Sequence, residues 1–284
     1  MQLPHRTTPT PALARRSALS AAAVVTSLWL AACGGAASPT ASDAAATGTA
    51  VSSGTADSIS GEVVVFAAAS LQDAFEEIAE EFQQANPDVS ITFDFQGSQD
   101  LVSALSEGAE ADVLATANNS TMDDAASRSL LAEQTEFATN VLTLIVPAGN
   151  PADVTGIDGG SLDGADLVVC AAEAPCGEAT QALAEQLGVT LSPVSEEQKV
   201  TDVRGKVESG EADAGIVYAT DAADAGDAVE TIPLPDNDVV NHYPIALTRD
   251  TVNPGAAQAF VDLVLSDAGQ AILAEHGFGA PTGR

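Results

Sequence analysis

Val63-Val64-Val65-Phe66-Ala67-Ala68-Ala69-Ser70-Leu71-Gln72-Asp73-Ala74-Phe75 passes from an apolar run, through three alanines and a serine, into an amphipathic pattern. Val63–Ala67 reads as a strand, because a short apolar run bounded by small residues suits a buried β position. From Leu71 the period changes. Leu71, Ala74, Phe75, Ile78, Ala79 and Phe82 recur at helical spacing, with Glu76, Glu77, Glu80 and Glu81 opposite them, which predicts a helix over Leu71–Asn86. Asn86-Pro87 should end it. The joint between strand and helix places Ser70 as a helix N-cap behind three small side chains, where a ligand can approach the backbone.

The same alternation continues outward from this unit. Further strands are expected at Ser90–Phe95, Val113–Ala115, Val141–Val146, Leu167–Val169, Gly215–Tyr218 and Tyr243–Leu247. Helices are expected over Asp100–Glu107, Gly177–Leu187, Asp202–Ser209, Pro254–Leu265 and Asp267–His276. Strands alternating with helices give an α/β class with parallel strands. Ligands of such sheets bind beyond the carboxyl ends of the strands, where helices begin. A second serine turn, Phe95-Gln96-Gly97-Ser98-Gln99-Asp100-Leu101, follows the second strand. One serine cap is commonplace and contributes about 1 kcal/mol. Two on consecutive strand–helix joints can bring hydroxyls and orphan N–H groups together as an anion site.

Composition sets the boundaries of function. In 284 residues, Lys+Arg number 9 against Asp+Glu 41, a net charge of −32. Phosphate neutralisation needs clustered basic residues, so nucleic acid is excluded as a partner. Hydrophobic residues at 45% supply a core, and aromatics at 4% leave it to Ala, Val, Leu and Ile.

The N-terminal segment reads as targeting rather than fold. Arg6, Arg15 and Arg16 precede an apolar stretch, Ala18 to Leu30, too short to span a bilayer. It ends in Leu30-Ala31-Ala32-Cys33-Gly34, which resembles the lipobox of bacterial lipoproteins. Residues 1–32 are therefore expected to be a signal peptide, by either the general or the twin-arginine export route, with Cys33 lipidated. Residues 33–60, rich in Gly, Ala, Ser and Thr, form a tether. The mature chain is expected outside the cell, lipid-anchored to the outer face of the cytoplasmic membrane. With Cys33 acylated, Cys170 and Cys176 remain, and an oxidising compartment favours a disulfide clipping Ala171–Pro175.

Four blocks resemble the periplasmic molybdate-binding proteins of ABC importers, the ModA family: Val65–Leu71; Ser98 with Leu101 and Gly108–Val113; Asp202-Val203-Arg204-Gly205; and Gly215–Ala222. They stand in family order over most of Gly61–Arg284. The resemblance implies a two-lobe type II periplasmic-binding-protein fold with a ligand cleft between the lobes. Residues 61–142 and 244–284 would form lobe 1 and residues 143–243 lobe 2, with Val141–Val146 and Tyr243–Leu247 as paired hinge crossings. It also implies the oxyanion ligands: hydroxyl and N–H from Ser70 and Ser98, the N–H groups of Cys176 and Val203, and the Tyr218 hydroxyl. These five would hold the metal as bound molybdate or tungstate. The implied protein is a monomer that delivers its anion to a permease subunit of an ABC importer, with no cofactor and no catalysis.

The serine turns contain no Lys or Arg, and Arg204 is expected to face solvent, so affinity should come from neutral donors. Each hydrogen bond to a charged group contributes about 1.5–3 kcal/mol. Asp73, Asp100 and Asp202 should be first-turn carboxylates facing solvent. Such a cavity favours large tetrahedral oxyanions over sulfate by size, and rejects hydrogen phosphate because nothing accepts its proton. The rival readings are a sister binding protein for sulfate and a surface-anchored hydrolase. The hydrolase lacks a Gly-x-Ser-x-Gly elbow and has only His242 as a base. Asp236-Asn237-Asp238 lacks the spacing of a calcium loop.

Overall fold

A computed structural model describes residues 59–282 apart from residue 159. The signal peptide, Cys33 and nearly all of the tether lie outside the described residues. Among those described, no helix is long and apolar enough to cross a membrane.

Among the described residues, nine strands and eight α-helices follow one another: β1 (Gly61–Ala68), α1 (Gln72–Ala85), β2 (Val89–Gln96), α2 (Ser98–Ser106), β3 (Val113–Ala115), α3 (Asn119–Ser127), β4 (Leu131–Pro147), β5 (Leu167–Cys170), α4 (Pro175–Leu187), β6 (Ser195–Glu197), α5 (Val200–Glu208), β7 (Ala214–Tyr218), α6 (Ala219–Ala225), β8 (Val229–Ile232), β9 (Val240–Thr248), α7 (Pro254–Leu265) and α8 (Asp267–Glu275). The sheet order is β2-β1-β3-β9-β4-β7-β5-β6, with β8 also on β4. Strands β1, β2 and β3 pair in parallel, as do β5, β6 and β7. The two parallel groups meet through antiparallel β9 and β4.

Strand β4 belongs to both halves. Leu131–Val141 pairs with β9, and Leu142–Pro147 pairs with β7 and β8. It is far longer than the Val141–Val146 expected from sequence. The first crossing between halves falls at Val141–Leu142. The return lies ahead of Val240 rather than at Tyr243–Leu247, since all of β9 is paired within the first half.

Most of the aromatic residues described, few as they are, gather at one place, Phe66 packing in a separate cluster. Phe75 lies 5.7 Å from Phe137 and 6.0 Å from Phe260 between ring centroids, and Tyr243 lies 6.3 Å from Phe137 and 5.4 Å from Phe278. The chain of rings ends at Tyr218, 6.0 Å from Tyr243. Rigid rings thus connect the first half's core to the strand end that carries a predicted ligand group.

Candidate functional site

Five strand-to-helix joints open onto one small cavity of about 20 Å³. They are Ala68–Ser70 after β1, Gln96–Ser98 after β2, Ala174–Cys176 after β5, Gln198–Val200 after β6, and Tyr218 after β7, with Ala117 completing the wall. Drug-sized pockets run to roughly 300–1,000 Å³, so this one suits a ligand of a few atoms. In a chain with 41 acidic residues, no Asp or Glu lines it.

The donors follow from how each helix starts. Ser70 does not cap α1: it sits inside a 3-10 turn, Ala69–Leu71, ahead of that helix. Ser98 does not cap α2 either, because Gly97 holds that position and Ser98 is the first helical residue. Neither hydroxyl is spent on a helix end. In α2 the amides of Asp100 and Leu101 both turn back to the Gly97 carbonyl, leaving those of Ser98 and Gln99 as first-turn donors. In α4, Pro175 has no N–H, and the amides of Gly177 and Glu178 both donate to the Ala174 carbonyl. The Cys176 amide is the first-turn donor that remains. The N-cap residues Gly97, Ala174 and Lys199 make no side-chain cap, whereas α3 and α8, elsewhere, are capped by Asn118 and Ser266. Helix starts without caps, converging from α2, α4 and α5, form an electropositive concavity built of backbone.

Three hydroxyls complete the wall. Ser70 is 6% exposed, Ser98 1% and Tyr218 1%. The Ser98 hydroxyl accepts from the Ala117 amide at 3.1 Å. The Tyr218 hydroxyl accepts from Asn241 Nδ2 at 2.9 Å. Ser70 Oγ lies 3.0 Å from the hydroxyl of Tyr243, a wholly buried residue with no motif in the sequence to mark it. Burial raises the Tyr218 phenol well above its ordinary pKa, with Tyr243 and Asp221 adding to the effect, so it stays a neutral donor.

Of the five residues carried over by resemblance, Ser70, Ser98, Cys176 and Tyr218 come together in this cavity. Val203 does not. Helix α5 begins at Val200 with Lys199 as N-cap, so Val203 lies a full turn inside. Its position is the first with an intrahelical carbonyl to serve, and its side chain is 0% exposed. A Cβ added at Gly215 would come within 2.9 Å of Val203 Cγ1, which shows how closely the two are packed. The wall contains Val200 in its place, and α5's free first-turn amides are those of Val200 and Thr201.

The expectation of a wall without cationic residues also needs correction, because Lys199 lines the cavity. It faces Asp100 across the cleft: burial and Glu173 raise the Asp100 carboxyl, and Lys199 lowers it. Arg204 does not point to solvent. Its side chain is 23% exposed, with Nε 3.3 Å from Glu208 and Nη1 3.5 Å from Asp224, both away from the wall. Asp73, Asp100 and Asp202 are exposed first-turn carboxylates, as expected. His242 Nδ1 lies 3.3 Å from Glu136 Oε2 and has no place in the wall beside the serines. Cys170 and Cys176 are joined in a disulfide, with Cα atoms 5.6 Å apart.

Residues 63–279 match a family model described as bacterial extracellular solute-binding protein. A molybdate-binding protein ModA of Mycobacterium tuberculosis (strain ATCC 25618 / H37Rv) is 44% identical over 221 residues, 77% of this chain and 85% of that protein. Among solved structures, the Azotobacter vinelandii periplasmic molybdate-binding protein aligns with a TM-score of 0.65 at 18% identity, covering 78% of this chain and 100% of that one. The sulfate-binding protein SubI from Mycobacterium tuberculosis H37Rv aligns with a TM-score of 0.64, also at 18% identity, covering 76% and 86%. These two solved structures show a shared fold alone. Their names carry different anions, so the choice of ligand must be argued from the cavity wall.

Proposed function

The chain belongs to the bacterial extracellular solute-binding proteins and has their two-lobe type II periplasmic-binding fold, and from this we propose that it captures molybdate, and tungstate alike, for an ABC importer. The carrying observation is the wall itself: three buried hydroxyls and the uncapped starts of three helices around a small cavity free of carboxylates. Ser70, Ser98 and Tyr218 would donate hydroxyls, and Ser70, Ser98, Cys176 and Val200 their amides. A dianion in a water-poor cleft is held by charge-assisted bonds of about 1.5–3 kcal/mol each. Translational loss and closure offset several of these, which leaves affinities in the range of roughly nanomolar to micromolar.

Closure explains why the donors come from both halves. Ser70 and Ser98 belong to the β1–β2 side, and Cys176, Val200 and Tyr218 to the β5–β7 side. Only a closed molecule brings both sets to one ion, so the ion stabilises the closed state by its differential affinity for it. The segment ahead of the fold supports attachment through an acylated Cys33, with export by a cleaved leader of residues 1–32. The protein would then act as a monomer beside a permease, binding an ion without transforming it.

Calorimetric titration of the purified protein with molybdate, tungstate, sulfate and hydrogen phosphate tests the reading. Molybdate and tungstate should bind, with sulfate at least about tenfold weaker, and Ser98→Ala and Tyr218→Phe should each cost roughly tenfold or more, as expected for one charge-assisted bond. Equal affinity for all four ions, or unchanged affinity in both variants, would remove the proposal.

A further inference from the structure

We infer that Lys199 draws the oxyanion into the cleft: its ammonium, at the mouth of the cavity, sets the rate of capture rather than the choice of ion. The inference rests on the oxyanion reading above and adds one cation to a site whose other donors are neutral.

Lysine serves the fold poorly where it stands. Lys199 is the N-cap of α5 and makes no side-chain cap. An ammonium only donates, so it cannot satisfy the free amides of the helix start, and its charge opposes the positive end of the helix. A local rule broken without gain to the fold marks a functional position.

Contacts from the other half hold the chain there. Gln99 Nε2 donates to the Gln198 carbonyl at 2.8 Å. Gly97 leaves room for that carbonyl, since a Cβ on Gly97 would collide with its oxygen. Lys199, the next residue, is thereby seated beside the first turn of α2, half-buried and in the cavity wall.

The other charges single it out. Arg128 is paired with Asp124, Arg204 with Glu208 and Asp224, and Lys206 with Glu197. Arg249 is exposed beyond the end of β9, which pairs with the start of β3, away from the strand ends that form the site. Lys199 has no ion-pair partner among the described residues. It acts on Asp100 across the cleft, where Glu173 adds a second negative charge. In a chain of net charge −32, an incoming dianion is repelled over most of the surface. One cation at the entrance lowers that barrier locally, and charges at the rim of a site act on association and its salt dependence.

The experiment is stopped-flow mixing of molybdate with the parent protein, Lys199→Gln, Lys199→Arg and Arg249→Gln, in about 10 mM and about 1 M sodium chloride. At low salt Lys199→Gln should associate about fivefold more slowly than the parent. Lys199→Arg, which keeps the charge, and Arg249→Gln, which removes the same charge elsewhere, should stay within about twofold. At high salt, where the screening length is about 3 Å, all four should agree within about twofold. Dissociation rates should match within about twofold throughout. Unchanged association in Lys199→Gln, or an equal loss in Arg249→Gln, would overturn the inference, as would a loss carried by dissociation and persisting at high salt. A parent that fails to bind molybdate at either salt would defeat the oxyanion reading, and this inference with it.

Discussion

Glu178, at the start of α4, accepts hydrogen bonds from Asn118 Nδ2 at 2.5 Å and Ser120 Oγ at 2.6 Å, both at the start of α3 on the opposite side of the cleft. One carboxylate therefore sits between two helix N-termini, a position that favours negative charge on both counts. Asn118 reaches it while its Oδ1 caps α3 through the Thr121 amide. On a second contact between the halves, Gln99 Nε2 donates to the Gln198 carbonyl at 2.8 Å. These bonds exist only when the halves are together.

Glu178 should accordingly set the closing equilibrium without touching the ion. Because the group is exposed, the bonds together contribute about 1 kcal/mol, and Glu178→Ala should weaken molybdate binding roughly fivefold. Small-angle scattering of the variant should show a more open average form before ligand is added. A dissociation constant and scattering curve both equal to the parent's would mean that Glu178 is not a latch.

How far the sequence carried this picture depends on where each signal lies. Local signals were legible. The apolar run at Val63 and the helical stripe from Leu71 to Phe82 predict β1 and α1 to within a few residues, and Asn86-Pro87 marks the helix end, since Asn86 is the C-cap of α1. The helices α3 (Asn-Ser-Thr-Met-Asp-Asp-Ala-Ala-Ser) and α6 (Ala-Thr-Asp-Ala-Ala-Asp-Ala) went unread. Each is short and dominated by small or polar residues, so neither carries an apolar stripe, and packing in the fold decides them. The first half of β4 was hidden by Glu133, Gln134 and Glu136, which interrupt the apolar pattern.

The serine turns were legible because Ser70 and Ser98 stand within two residues of a strand end, whereas Cys176 and Tyr218 were reached through the family resemblance. What lies behind those groups was not legible. Tyr243 reaches Ser70 across a separation of 173 residues and Asn241 reaches Ala117 across 124, distances over which no local pattern carries information. The shift from Val203 to Val200 is a boundary effect: which amide is free depends on where α5 starts, the least certain feature of any sequence reading.

The Cys170–Cys176 bond closes a short loop, with a sequence separation of 6, so the chain-entropy model gives about 2 kcal/mol of stability. Reduction, or the paired change of both residues to Ala, should lower the melting temperature by about 4–8 °C. Mass spectrometry of the exported protein under non-reducing conditions should find the two cysteines linked. Two alkylatable thiols, with no melting shift on adding reductant, would contradict it.

Gly177 permits this loop to fold back on the helix. A Cβ there would lie 1.8 Å from the Ala171 carbonyl oxygen and 2.9 Å from that of Cys170, contacts that backbone atoms cannot relieve by rotating. Gly177→Ala must displace either the loop or the start of α4, and with it the Cys176 amide. Molybdate affinity should fall about tenfold or more, the loss of one charge-assisted bond. Retained affinity would show that this amide is not a ligand.

Asp221 gives the fold a pH dependence of unusual sign for a carboxylate. It is 1% exposed, no side chain hydrogen-bonds to its oxygens, and only the backbone of Tyr218 and of Asp221 itself eases its charge, with contacts short of full hydrogen-bond geometry. Burial is the main cause that raises its pKa to about 7, with Arg204 pulling down and Asp224 pushing up. Asp224 itself is raised to about 6, first by burial and then by Asp73. A carboxyl whose folded pKa exceeds its unfolded value of about 3.9 holds a proton in the native state that the unfolded chain has lost. Its contribution is complete below the unfolded value and declines as pH rises to about 7. Between those limits it is worth on the order of 4 kcal/mol. Urea midpoints should therefore drop from acid toward neutral pH. Asp221→Asn, which cannot ionise, should flatten that slope and make the protein more stable than its parent above neutrality. An unchanged slope in the variant would assign the pH dependence to other groups and leave Asp221 a permanently neutral, or adequately solvated, residue.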